Sequence, residues 1–309
     1  MFILGVNISH HPSICFHIDG KVKEFYNEER FVNIKDYEAP KEDFHLFRCI
    51  EKKIKKKPDF VVYASWGRNS HMGAGSDQYA IDVIQKQLKH PKYYFNPKEH
   101  HLYHAITGFA FSKFDEAAAI VVDGGGAAQY IIPYKEVESI YYINKKEIYP
   151  FYKHSTNIMT ERDAFGYSQG HAVKMFKGGC ENMFSNYLVG GNAFADACYE
   201  LGYKNGNYSG KVMGLSSYGY TDKKYPLNYE FVEIAKNVQE KTFIETCELI
   251  DRAKEKSKNI VLSGGYFLNC SNNFKYVKKY PDLNFFVDPV PIDSGTAIGA
   301  AIYYDKYKR

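Results

Sequence analysis

The chain has almost no tryptophan, no paired cysteines, no long apolar run and no strong excess of either charge, and each shortage removes a class of function. Its six cysteines, Cys15, Cys49, Cys180, Cys198, Cys247 and Cys270, are spread without a CxxC spacing. That argues against a zinc knuckle or a disulfide frame and for reduced thiols in a cytoplasmic protein. No stretch approaches the roughly 20 apolar residues that span a bilayer, which leaves no membrane partner to expect. The N-terminus, Met1-Phe2-Ile3-Leu4-Gly5-Val6, lacks the basic start and apolar core of a signal peptide and reads as a strand. A net charge of +4 on 309 residues is weak support for a nucleic-acid partner. The densest basic run, Lys52-Lys53-Ile54-Lys55-Lys56-Lys57 before Pro58, reads as a solvated helix end. What is abundant is tyrosine and phenylalanine, 28 and 22 residues against one tryptophan, in a chain 45% apolar and 25% charged. That composition suits a globular protein of one large or two medium domains.

The pattern opens with three strands: Phe2–Ile8, Ser13–Ile18 and, after a tight turn at Asp19-Gly20, Lys21–Tyr26. A helix around Lys41–Lys55, a strand Phe60–Tyr63, a helix Asp77–Leu88 and a strand Tyr93–Phe95 follow. The series then restarts with a buried strand Ala117–Val122, a turn at Asp123-Gly124-Gly125-Gly126, and strands Gln129–Pro133 and Ser139–Ile143. Helices are expected at Phe165–Phe176, Glu181–Leu201 and Asn228–Lys256. Short strands Ile260–Leu262 and Phe285–Val287 complete the pattern, with Asn205–Ser217 the expected mobile loop. Two blocks of strand hairpins, each followed by alternating helices and strands, suggest a duplicated α/β fold. We place its lobes at 1–115 and 116–309, with a helical insertion at about 151–208. A ligand in such a fold lies in the cleft between halves, at strand ends and helix N-termini.

The segment Asn96-Pro97-Lys98-Glu99-His100-His101-Leu102-Tyr103-His104 carries the strongest local chemistry. Asn96 is a helix N-cap, Pro97 suits the first position and Glu99 would close a capping box, so the helix starts just before the histidines. His100 and His104 are then one turn apart on the same face, where two imidazoles can share a metal if carboxylates arrive from elsewhere. Asp123 and Asp293 are the carboxylates nominated. Each has an ordinary alternative, a turn residue for Asp123 and a helix N-cap for Asp293. His101 points elsewhere on the helix and reads as a surface or supporting residue. Ser263-Gly264-Gly265 is either a phosphate or ribose loop or a plain strand-to-helix turn. Asn7-Ile8-Ser9-His10-His11, at the end of the first strand, can bring an imidazole to the cleft or serve structure alone.

Taken in order, Asn7-Ile8-Ser9-His10-His11, Glu28-Glu29-Arg30-Phe31 with Lys35, His100-His101-Leu102-Tyr103-His104-Ala105, Asp123-Gly124, Gly210-Lys211-Val212-Met213-Gly214-Leu215 with Tyr218-Gly219, Gly264-Gly265 with Leu268-Asn269-Cys270, and Asp293-Ser294-Gly295-Thr296-Ala297 resemble the O-carbamoyltransferases of nodulation-factor and antibiotic biosynthesis. The resemblance implies an actin/hexokinase-like (ASKHA) two-lobed α/β fold. In that family carbamoyl phosphate and ATP give carbamoyl-adenylate, whose carbamoyl group passes to a hydroxyl acceptor. By resemblance, Fe2+ or another divalent metal is held by His100, His104, Asp123 and Asp293. Gly124, Gly125, Gly264, Gly265 and Asn269 bind the nucleotide, His11 serves as base, and Lys35 neutralises phosphate charge. Pro12 stands where family members commonly have Asp. The family's second, adenylate-forming domain does not follow in this sequence, so the expectation is either a separate adenylate-forming protein as partner or another donor, alongside a small-molecule, sugar or nucleotide acceptor. Its specificity is expected from the insertion at Phe151–Tyr208. The alternatives are threonylcarbamoyl transfer to tRNA and a non-catalytic nucleotide-binding partner.

Overall fold

A computed structural model of the chain describes residues 1–34, 48–67, 76–127, 134–157, 173–185 and 188–309. Two sheets of the same topology organise them. In the first, β1 (Phe2–Asn7), β2 (Ser13–Ile18) and β3 (Lys21–Asn27) form an antiparallel meander, and β4 (Phe60–Ala64) and β5 (Lys92–Phe95) add in parallel beyond β1, giving the order β3-β2-β1-β4-β5. The second repeats this with β6 (Glu116–Val122), β7 (Tyr134–Asn144) and β8 (Ile148–Asn157) as the meander. After the extra hairpin β9 (Val173–Lys177) and β10 (Cys180–Ser185), β11 (Asn259–Ser263) and β12 (Asn284–Val287) supply the parallel strands. The added hairpin extends the edge at β8, so the full order is β12-β11-β6-β7-β8-β10-β9. The β2–β3 turn is built as its sequence demands, with Asp19 and Gly20 both left-handed at φ 50° and 76°.

The described helices are α1 (Glu29–Val32), α2 (Arg48–Lys53), α3 (Asp77–Gln87), α4 (His100–Ser112), α5 (Gly190–Glu200), α6 (Ser209–Ser216), α7 (Tyr229–Ala253), α8 (Cys270–Lys279) and α9 (Thr296–Tyr303). Helices α4 and α9 set the relation between the sheets. Each closes one half of the chain in sequence, yet α4 packs on β6 and β11 of the second sheet, and α9 packs on β1, β2 and β4 of the first. The two helices also pack on each other, so together they form the middle layer. Strand alternation explains the three cores. On β6, Ala118, Ile120 and Val122 face α5 and α7, whereas Ala117, Ala119 and Val121 face α4 and α9. On β1, Ile3 joins the middle layer, while Phe2, Leu4 and Val6 join the outer core under α3. The middle layer is lined by small residues, Ala117, Ala119, Ala297, Ala300 and Ala301, which lets backbones approach closely.

Several expectations are corrected here. Residues 181–185, expected in a helix, form β10, and the helix runs only over Gly190–Glu200. From Cys180 to Phe184 buried and half-buried side chains alternate, a period of two that a helical reading of the apolar residues misses. Of the expected helix Phe165–Phe176, residues 173–176 are strand and the remainder lies outside the described residues. The 151–208 segment is therefore not a helical insertion, since it also contains most of β8. The loop expected at Asn205–Ser217 is a helical turn followed by α6, started by the Asn205 side chain accepting from the Asn207 amide. The strand expected at Gln129–Pro133, the start of the helix around Lys41–Lys55, and Lys35 lie outside the described residues. All six cysteines are free thiols, and only Cys270 is exposed. No described helix is long and apolar enough to cross a membrane.

Candidate metal centre

The histidine helix starts as its sequence indicates, but with a different use of Glu99. Asn96 accepts the amide of Lys98 and Pro97 occupies the first turn, which is a 3-10 turn over Pro97–Glu99 leading into α4. Glu99 does not close a capping box. Its carboxylate instead accepts the hydroxyls of Tyr94 at 2.9 Å, Tyr103 at 2.8 Å and Tyr303 at 3.2 Å, tying β5, α4 and α9 together.

From there His100 and His104 emerge one turn apart, with ring centroids 4.8 Å apart and planes at 84°. Asp123 reaches them from the end of β6, and Asp293 from the turn that opens α9. All four residues are buried, and their ligating atoms lie within 4.8 Å of one another. His100 Nε2 stands 3.4 Å from Asp123 Oδ2 and 3.6 Å from Asp293 Oδ1, and His104 Nε2 stands 3.7 Å from Asp293 Oδ1. These separations are long for hydrogen bonds. They match the edge of a tetrahedron around one ion, about 3.4 Å for ligand bonds of roughly 2.1 Å.

The remaining oxygens are already committed: Asp123 Oδ1 accepts from the Gly265 amide at 3.3 Å, and Asp293 Oδ2 from the Ser9 hydroxyl at 3.2 Å. Each carboxylate is thus aimed, with one oxygen held by the protein and the other turned to the imidazoles. Among the described residues, His104 Nδ1 and Nε2 and His100 Nδ1 have no hydrogen-bond partner although buried. Orphaned buried nitrogens of this kind are costly unless something else satisfies them. A divalent cation suits a donor set of two imidazoles and two carboxylates, so the residues fit the metal that the resemblance implies.

The electrostatics agree. Burial by itself depresses the His100 imidazole, but the Asp293 and Asp123 carboxylates outweigh it and raise its pKa to about 10. Burial pushes both carboxylates up, joined at Asp123 by the charge of Asp293, yet the histidines hold both below the usual carboxylate range.

Of the two roles expected for His101, surface or supporting residue, the structure gives it the supporting one. It is buried, its Nδ1 lies 2.9 Å from the Ser139 hydroxyl, and burial lowers its pKa to about 4, so it is neutral. Ser139 bonds in turn to Glu136, which pairs with Lys153 at 3.0 Å. This buried chain braces the back of the histidine helix.

A cleft of about 520 Å³ opens over Asp123 and Asp293. Its wall includes His11, Gly124, Gly125 and Gly265, four of the residues singled out from sequence. His11 sits in a left-handed turn (φ 52°) fixed by the Asn7 amide, which donates to the carbonyls of His10 and His11 at 2.7 and 3.1 Å. Gly264 and Asn269 lie behind the wall. Gly264 adopts φ 98°, and a Cβ there would fall 2.2 Å from the Val122 carbonyl oxygen. Asn269 caps α8 by accepting the Asn272 amide and exchanges hydrogen bonds with Gln239. The lining also includes His10, of the histidine pair expected near the cleft, and residues with no site role expected from sequence, Trp66 and Lys135 among them. The one tryptophan of the chain was the available signal.

Comparison with known proteins agrees with this picture. Residues 227–302, which carry Gly264, Gly265, Asn269 and Asp293, match the family described as the carbamoyltransferase N-terminus. The chain is 26% identical to the uncharacterized protein sll1178 of Synechocystis sp., over 97% of this chain and 56% of that protein. It is also 26% identical to the nodulation protein NolNO of Sinorhizobium fredii, over 66% of this chain and 30% of that one. The chain thus spans about half, or less, of the length of these curated relatives. Among solved structures, full-length HypF in its phosphate- and nucleotide-bound form superimposes with a TM-score of 0.58 at 13% identity, covering 99% of this chain and 56% of that one. A ROK hexokinase of Thermus thermophilus superimposes with a TM-score of 0.50 at 13% identity over the whole of both chains. The fold is therefore the two-lobed actin/hexokinase-like one, and the sequence is similar to carbamoyltransferases.

Proposed function

We propose that this chain is the transfer domain of a carbamoyltransferase, passing a carbamoyl group from carbamoyl-adenylate to the hydroxyl of an acceptor in the cleft. One observation carries the reading: two histidines and two aspartates from three separate parts of the chain converge with ion-sized spacing, the aspartates lining a cleft, in a sequence similar to carbamoyltransferases. A divalent cation in that cluster would supply Lewis-acid stabilisation of phosphate oxygens. We infer that Fe2+ or a related ion fills this role, in keeping with the mixed nitrogen and oxygen donors.

The chain's own residues have separate tasks. Asp123 and Asp293 are held by Gly265 and Ser9, so the donor site is aimed before anything binds. Backbone at Gly124, Gly125 and Gly265 lies open on the cleft wall, where a phosphate can approach closely. The nucleoside is assigned to the wall formed by Gly206, Asn207, Ser209, Gly210, Met213 and Leu268. His11, fixed in its turn by Asn7, takes the proton as the acceptor oxygen attacks the carbamoyl carbon. The carbon–oxygen bond to phosphate breaks, AMP leaves, and the acceptor keeps the carbamate.

The direct assay supplies carbamoyl-adenylate, or an adenylate-forming protein with ATP and carbamoyl phosphate, to the metal-loaded protein and a panel of alcohols, sugars and nucleosides. A carbamate of one of them, dependent on His11, is the expected product. Firm binding of adenosine nucleotides with no carbamate from any acceptor would replace this reading with that of a non-catalytic nucleotide-binding partner.

A further inference from the structure

One wall of the cleft carries a group of side chains that the transfer step does not use. His10 follows β1, Trp66 follows β4 and Lys135 is the second residue of β7, so three separate segments meet there. The His10 and Trp66 rings are nearly parallel, 9° apart in plane and 5.9 Å between centroids. The Lys135 ammonium lies 4.2 Å from the centroid of the Trp66 ring. All three line the cleft, with His11 beside them.

Lys135 is mostly buried, and that burial alone lowers its pKa, with no carboxylate acting to raise it. Among the described residues it forms no ion pair, in contrast to Lys153, which is buried against Glu136. An indole face stabilises a cation only modestly, so Lys135 is held in place by Trp66 without being neutralised. A cation kept partly dehydrated on a cleft wall favours an anion entering from solvent, and a phosphate accepts ammonium hydrogen bonds strongly. The adjoining aromatic faces suit the apolar face of a ring.

We propose that Trp66 and Lys135 form an acceptor subsite that binds a phosphomonoester carried on a hydroxylic ring compound, such as a sugar phosphate, with the ammonium of Lys135 on the phosphate. This deepens the carbamoyl-transfer reading by naming the acceptor class, and rests on it for the word acceptor. The subsite itself can be tested by binding alone. The donor phosphate is assigned its own position at the metal cluster, and Lys135 and His11 line the same cleft, so a second phosphate on Lys135 shares that space with the base.

Because Trp66 is the sole tryptophan, its fluorescence reports on this subsite without a label. The experiment titrates the full chain with ribose 5-phosphate, with ribose, and with inorganic phosphate, each with chelator and with added divalent metal. Ribose 5-phosphate should change Trp66 emission saturably, ribose should not, and Lys135→Gln should weaken the affinity by about tenfold or more while Lys135→Arg restores most of it. Thermal melts of the variants establish that each is folded, and calorimetry on Trp66→Leu checks that affinity falls when the platform is removed. Retention of the response in His104→Ala and in chelator is expected. An unchanged Kd in Lys135→Gln, or a response that requires the metal or His104, would overturn the subsite. Carbamoyl transfer to unphosphorylated alcohols only, with the binding intact, would overturn its assignment to the acceptor. Failure of transfer altogether would leave the fluorescence result standing, and so separates the two claims.

Discussion

Gly299 of α9 sits against the carbonyl of Tyr103 in α4, so close that a Cβ on it would fall 1.9 Å from that oxygen and 2.8 Å from Thr107 Oγ1. The Thr107 hydroxyl lies against the Tyr103 carbonyl of its own helix at 2.9 Å and reaches across the contact to the Gly295 carbonyl at 2.8 Å. Tyr103 immediately precedes His104, and Gly295 lies two residues after Asp293. The helix contact therefore fixes the distance between two of the proposed metal ligands, which are far apart in sequence.

Gly299→Ala should accordingly damage both fold and site. Backbone on the opposing helix cannot yield as a flexible side chain would, so α9 must move, at a cost of roughly 2–4 kcal/mol. Metal affinity should fall as well, though the variant removes no ligand. Gly214→Ala is the control: it lies in α6 with open space around it, and the better helix former should leave stability unchanged or raise it by about 0.5–1 kcal/mol. Denaturant melts and metal titration on both variants check this. Equal behaviour of the two would refute the role given to the α4–α9 contact.

The Lys153–Glu136 pair behind the histidine helix predicts strong non-additivity. Lys153 stays charged because Glu136 overcomes its burial, and Glu136 is held below its usual pKa by Lys153 against its own burial. Removing one partner leaves a buried charge, so Glu136→Gln or Lys153→Met should each cost about 3–5 kcal/mol. The double variant should cost clearly less than the sum. Simple additivity in a double-mutant cycle would contradict a buried, coupled pair.

Glu245 gives a pH-dependent test. Burial, reinforced by the Glu138 and Glu248 charges and only partly offset by Lys241 and the Gly190 amide, raises its pKa from an ordinary 4.5 to about 7. The folded state holds the proton more tightly than the unfolded chain, so ionisation penalises folding. That penalty is absent below pH 4.5, grows as pH rises, and is complete above pH 7. With about a quarter of the side chain exposed, it amounts to roughly 2 kcal/mol. Glu245→Gln should therefore stabilise the protein at pH 8 and make little difference at pH 4. Equal effects at both pH values would remove the ionisation argument.

Much of this was legible in the chain because the signals are local. The Asp19-Gly20 turn, the apolar strand ending at Asp123 and the Asn96-Pro97 helix start each depend on neighbouring residues, and each stands where its pattern puts it. The convergence of His100, His104, Asp123 and Asp293 is a long-range fact that spacing could only suggest. Order along the chain, matched to a family, supplied the rest. What escaped the reading depends on contacts with distant segments. Glu99 was drawn from its cap to three tyrosines, two of them on other elements. Likewise β9 and β10 exist as strands because they extend the edge of β8, a partner that no local pattern names. Trp66 and Lys135 escaped for the same reason, being 69 residues apart and joined only by the cleft.

The central claim is that four side chains hold one metal ion, and equilibrium metal binding tests it most directly. Chelator-stripped protein titrated with Fe2+ under anaerobic conditions, and in parallel with Zn2+ or Mn2+, should bind one ion per chain at the cluster of His100, His104, Asp123 and Asp293. His104→Ala and Asp293→Asn should each weaken that binding by more than about a hundredfold while their melts remain cooperative. Absence of stoichiometric binding for all three ions, or an affinity unchanged in both variants, would contradict the account.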